Sequence, residues 1–256
     1  MNFLTQVLHL VGSGAVAFIS ARSIRDPLTR PNTLAGLQLA ESGSVPFLEA
    51  LRDRAAAEGD DWLAERLARH ANDERRHGQI FAQALKQLDK KVIDFKSLPK
   101  PTAEKPADDR QRSPFFSAYF EGYSREDLQP ENLDWVVFIA STYILELDAS
   151  KDFVRMANAL PEDDSRSASL KKGMLSIAKD ETGHAAYLRE ALERRLSPIA
   201  AEAAIDHWRT RKVNAMLAMV TSLVQKGGKL PSLVQDGAPV DLPSQPESQL
   251  EPVAVS

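Results

Sequence analysis

Two short runs, Asp73-Glu74-Arg75-Arg76-His77 and Asp180-Glu181-Thr182-Gly183-His184, place a carboxylate and an imidazole where a helix should turn apolar residues to its core. The stretch from about Asp61 to Lys90 carries Leu63, Leu67, His70, Glu74, His77, Phe81, Leu85 and Leu88 at three- and four-residue steps. From about Ser165 to Arg195 the same steps give Leu170, Met174, Ile177, Glu181, His184, Leu188 and Leu192. Glu-x-x-His spacing puts both side chains on one helix face. A buried Glu without a partner is costly, so a fold that uses these stripes needs something cationic inside it. One such motif is weak evidence; two, each in a core stripe, are much stronger.

The rest of the chain supplies partners for these two helices. Good helix formers dominate from Thr33 to Glu58, from an Asn132 cap to Leu160, and from a Ser197 cap with Pro198 in the first turn to Lys226. The links Glu58-Gly59-Asp60 and Leu160–Asp164 are short, so each joins antiparallel neighbours. Residues 92–131, with Pro99, Pro101, Pro106, Pro114 and Pro130, form a long crossover. The expected fold is all-α: two antiparallel hairpins in a four-helix bundle over 31–226, with an additional C-terminal helix. Residues 1–30 are expected as an extension packed on the bundle, and 229–256 as a mostly disordered tail.

Residues equidistant from a hairpin turn lie at the same height. The midpoint of Glu41 and Glu74 falls between residues 57 and 58, at the first link. That of Glu146 and Glu181 falls between 163 and 164, inside the second. The chain therefore repeats one unit: Glu41, then Glu74 and His77; Glu146, then Glu181 and His184. Glu49 is a poorer match to Glu74, because their midpoint lies past the link, and Asp148 faces away when Glu146 points inward. Four buried carboxylates against two imidazoles would be badly under-compensated without metal.

This pattern resembles the ferritin-like di-iron carboxylate proteins: rubrerythrins, bacterioferritins, the small subunit of ribonucleotide reductase and the bacterial di-iron monooxygenases. The resemblance covers about residues 33–195. It implies a ferritin-like bundle holding two iron ions, with manganese an option in one position. Glu74 and Glu181 would bridge the ions. Glu41 with His77, and Glu146 with His184, would be terminal ligands. The Asp before each Glu implies a crosswise support, Asp73 on His184 and Asp180 on His77, which would orient the rings and raise their basicity. Such a centre activates O2 or peroxide. The favoured expectation is an oxygenase or oxidase acting on a small-molecule substrate. A rubrerythrin-like peroxide reductase or ferroxidase, a tRNA hydroxylase and a non-catalytic metal-binding scaffold are the alternatives.

Other residues have roles near such a centre. Tyr143 and Thr142, about one turn before Glu146, are candidate catalytic residues, as a radical or hydrogen-bonding phenol and a lining of the oxygen pocket. His70, one turn before Glu74, reads as a core histidine or the lining of an access channel. Pro46 should kink its helix a turn after Glu41. Composition then limits the electron supply. The chain has no Cys, which excludes an iron–sulfur or thiolate-bound donor within it and points to a separate reductase. Its net charge of −4 gives no whole-chain signal for DNA. The interrupted apolar N-terminus favours a packed helix over a membrane anchor and, without a leading positive charge, a cytoplasmic location. A homodimer is left open.

Overall fold

The computed structural model describes residues 14, 16–93, 113–162, 165–225 and 232–237. It is predominantly helical, with α1 (Arg30–Ala57), α2 (Asp61–Gln87), α3 (Pro114–Tyr119), α4 (Trp135–Ala159), α5 (Ser165–Arg195) and α6 (Pro198–Gln225). A short strand β1 (Lys90–Val92) pairs antiparallel with β2 (Val234–Asp236). No helix among the described residues is long and apolar enough to cross a membrane.

The two hairpins follow from local chemistry. Gly59, at φ +80°, turns the chain after α1. The Asp60 carboxylate then accepts from the Leu63 N–H at 3.0 Å and starts α2. On the other hairpin Asp134, not Asn132, caps α4, accepting from the Val137 N–H at 3.0 Å. The Asn132 amide is taken up by the Glu126 carbonyl at 3.2 Å. α1 packs chiefly on α2 and α4 on α5, and the hairpins meet where α2 faces α5. α1 and α2 come so close at Gly78 that any side chain there would run into the Ser42 hydroxyl. α1 is continuous as a helix through Pro46, the position of the expected kink.

The apolar core comes in two parts. One holds Leu48 and Leu51 of α1, Leu67 and Ala71 of α2, Ile139 and Ile144 of α4, and Tyr187 and Leu188 of α5. The other holds Leu34 and Ala35, Phe81 and Leu85, Phe153 and Met156, and Met174, Ile177 and Ala178 from the same four helices. On every helix the gap between the two parts contains the Glu or His residues singled out by sequence. Each fully buried Leu, Ile or Phe contributes roughly 1.5–3 kcal/mol, so the two ends carry the fold and tolerate a polar middle.

The flanking segments diverge from expectation in part. Residues 16–25 are helical, and Ile24 is buried against Leu34, Ala35 and Phe81. Within the segment expected as a disordered tail, Val234–Asp236 is a strand, and Leu233 binds the start of α1 through its N–H to Asn32 Oδ1 at 2.5 Å. The earlier N-terminal residues, residues 94–112 of the crossover and the rest of the tail lie outside the described residues.

α6 is held by a buried ion pair. Lys212 Nζ lies 2.6 Å from Asp148 Oδ2, and both residues are buried. Removing Lys212 takes from the buried Asp148 the closer of two lysines, the other being the more exposed Lys151 at 3.7 Å. Lys212→Met should therefore cost about 3 kcal/mol in urea unfolding. The Lys212→Met, Asp148→Leu double variant should regain most of that loss.

Candidate metal centre

The gap in the core gathers seven potential ligands from α1, α2, α4 and α5. Glu41, Glu74, His77 and Glu181 form one group; His70, Glu74, Glu146 and His184 form a second. Within each group one ligand atom per residue lies within 4.8 Å of all the others, and Glu74 belongs to both. All are buried except Glu146, which is partly so. The six residues expected from the repeat are thus together, and His70 joins them.

Each imidazole turns one nitrogen inward. His77 Nδ1 lies 3.2 Å from Glu41 Oε2 and 3.3 Å from Glu181 Oε1. His184 Nδ1 lies 3.3 Å from Glu181 Oε2 and 3.8 Å from Glu146 Oε2. His70 Nε2 lies 3.3 Å from Glu74 Oε1 and 3.6 Å from Glu146 Oε1. The outward nitrogens are pinned: His77 Nε2 is 3.3 Å from Asp180 and His184 Nε2 is 3.3 Å from Asp73, crosswise between α2 and α5. Arg76 reaches both of these aspartates, at 3.1 Å from Asp73 and 2.5 Å from Asp180. The Ser44 hydroxyl donates to the Glu41 carbonyl at 2.6 Å and sits 3.2 Å from Glu74 Oε2, holding that carboxylate in place.

The electrostatics show what occupies the cluster when protons alone are present. Burial, reinforced by Glu74 and Glu181, pushes Glu41 up to about 8. Burial and the neighbouring Glu181 likewise hold Glu146 well above the carboxylate range. Burial alone would lower His77 and His184, but the surrounding carboxylates override it and raise both to about 12. Burial opposes ionisation of Glu74 and Glu181 too. Hydrogen bonds, from His70 and His77 to Glu74 and from Glu146, His184 and His77 to Glu181, keep them ionised, Glu181 at about 2. Burial and the adjacent His184 lower His70 and keep it neutral despite Glu74. At pH 7 the four carboxylates therefore share their core with four protons, on Glu41, Glu146, His77 and His184. Two divalent cations carry the same total charge and would meet an oxygen-rich donor set with imidazoles. The residues fit a pair of metal ions.

Other candidates fall elsewhere. Glu49 pairs with Arg75 at 2.6 Å, and Asp148 with Lys212. Thr142 and Tyr143 are half-buried on α4, one turn before Glu146. The tyrosine that touches the cluster is Tyr187, whose hydroxyl lies 2.8 Å from His70 Nδ1. Its signal in the sequence is its place three residues after His184. A cavity of about 460 Å³ lies between α1 and α4, walled by Leu37, Phe153, Met156 and Leu233, and it includes Glu41. That volume is in the range of small-molecule sites.

A scan against protein-family models gives no match to this chain, and neither do searches of the curated proteins and of the solved structures.

Two outcomes follow. Metal loading at pH 7 should release about four protons per chain, measured by calorimetry in buffers of different ionisation enthalpy. Because protons compete with metal, the apparent affinity should rise as pH increases through the range where Glu41 ionises. Release of one proton or none would contradict the charge balance. Asp180→Ala should weaken metal binding by roughly 10–100-fold by freeing the His77 ring. Glu49→Gln should leave binding unchanged.

Proposed function

We propose that this chain is a di-iron carboxylate protein of ferritin-like architecture that uses O2 to oxidise a small-molecule substrate, drawing electrons from a separate donor. The observation that carries this reading is the pair of carboxylate–histidine groups sharing Glu74 in the middle of the helical core. Carboxylate-rich sites with imidazole ligands suit redox-active six-coordinate metals, and shared carboxylates suit a pair. When bound, two ferrous ions would supply two electrons and open coordination positions for O2, the remaining electrons coming from the separate donor.

The protein's own groups prepare the site. Glu74 and Glu181 stay ionised and lie between the two groups, so they are the bridging candidates. Glu41 and Glu146 are the terminal carboxylates, and each gives up a proton when a cation enters. Asp73 and Asp180 fix the rings of His184 and His77. The two apolar core clusters above and below exclude bulk water, which strengthens every charge interaction inside. Substrate approaches along the cavity between α1 and α4, whose walls are largely apolar and whose inner residue is Glu41. Electrons enter from the opposite side. There the partly exposed Arg76 bonds Asp180, and Asp180 bonds His77, a hydrogen-bonded route from solvent to the cluster. With no Cys, this chain holds no thiolate-bound iron to do that job itself.

The test is oxygen uptake by anaerobically iron-loaded protein supplied with reductant and a panel of small apolar substrates. Uptake in excess of iron oxidation, dependent on substrate, supports an oxygenase. Uptake that stops at iron oxidation, or turnover of peroxide alone, overturns it in favour of a ferroxidase or peroxide reductase. Glu74→Gln should abolish the excess uptake, and Glu49→Gln should preserve it.

A further inference from the structure

The geometry points to His70 as a third histidine ligand, seated by Tyr187, that makes the two metal positions chemically unlike. This rests on the paired-metal reading above and goes beyond it, because the repeated sequence unit provides two equivalent half-sites and no role for His70.

Three observations carry the assignment. First, His70 is 2 % exposed, lies at the centre of the core and turns Nε2 to within 3.3 Å of Glu74 and 3.6 Å of Glu146. Second, it obeys the rule the other two imidazoles obey: one nitrogen faces the cluster and the other is pinned by an oxygen outside it. For His77 and His184 that oxygen is an aspartate; for His70 it is the Tyr187 hydroxyl, at 2.8 Å from Nδ1. With Nδ1 carrying the proton and donating to Tyr187, the Nε2 lone pair faces the carboxylates, the tautomer a metal ligand needs. Third, His70 and His184 each offer a nitrogen to the same group as Glu74 and Glu146, with ligand atoms all within 4.8 Å of one another, and their rings stack with centroids 3.7 Å apart.

The repeat is therefore broken in one place. Beyond Glu74 and Glu181, which both reach the two positions, one position has Glu41 and a single imidazole, His77. The other has Glu146 and two imidazoles, His70 and His184. No equivalent of His70 exists in the second half-site, because the residue four before Glu181 is Ile177, part of the apolar core. Imidazole favours iron over manganese more than carboxylate does, and carboxylate oxygens suit manganese. The position with two imidazoles should therefore select iron, and the position with one should accept manganese. Tyr187 is a positioning residue: it is neutral where Asp73 and Asp180 are charged, so it fixes the His70 ring without raising its basicity as far.

The test is anomalous diffraction at the iron and manganese edges from crystals loaded anaerobically with equimolar Mn(II) and Fe(II). The wild type should show iron enriched about ten-fold or more at the position beside His70, and manganese at the position beside Glu41. His70→Gln should even out the two positions, Tyr187→Phe should reduce the enrichment, and added imidazole should restore it in His70→Ala. Circular dichroism and the unfolding midpoint check that each variant is folded. The same Fe:Mn ratio at both wild-type positions, or a ratio unchanged in His70→Gln, overturns the proposal. A wild type that loads two ions in this pattern yet takes up no O2 overturns the oxygenase reading and leaves His70 as a ligand. A wild type that binds no pair of ions overturns both.

Discussion

Four carboxylates in the interior of a helical protein must be neutralised, and the rest of this structure is arranged around that requirement. Glu41, Glu74, Glu146 and Glu181 come from four different helices and meet where the apolar core is interrupted. Two clusters of Leu, Ile, Phe and Met at either end supply the burial that holds the helices in place. The charged middle contributes chemistry and costs stability. Three imidazoles, a serine and two aspartates surround the carboxylates. With protons alone the cluster reaches neutrality, and it does so with the same charge that two divalent cations bring.

The same requirement explains the hydrogen bonds that leave the cluster. A ring nitrogen that must face a cation has to be prevented from rotating, and each of the three imidazoles is held from outside. Asp73 and Asp180 cross between α2 and α5, and so tie the two hairpins together at the height of the site. Arg76 joins both aspartates and balances their charge near the surface. On the opposite side the α1–α4 cavity brings open space to Glu41.

Much of this was legible in the sequence because it depends on helical period and hairpin symmetry. Glu74, His77, Glu181 and His184 sit on core stripes, and reflection through two short links finds Glu41 and Glu146. What depended on long-range pairing was not legible. β1 and β2 are far apart in the chain, and each is only three residues long, so neither carries a period to detect. Asn132 and Asp134 are both good caps, and only the competing Glu126 carbonyl decides between them. His70 was visible on the right stripe, but whether its ring turns towards Glu74 depends on Tyr187 from another helix. Nor does a period reveal the tie of Tyr187 to the cluster, since it is a contact with His70 on another helix.

The central claim is that two irons share one buried carboxylate cluster. Mössbauer spectroscopy of protein loaded anaerobically with ⁵⁷Fe and then exposed to air tests it most directly. The account predicts two irons per chain, high-spin ferrous before oxidation and an antiferromagnetically coupled ferric pair with no net spin afterwards. One iron per chain, or ferric ions with the magnetic splitting of isolated centres, would contradict it.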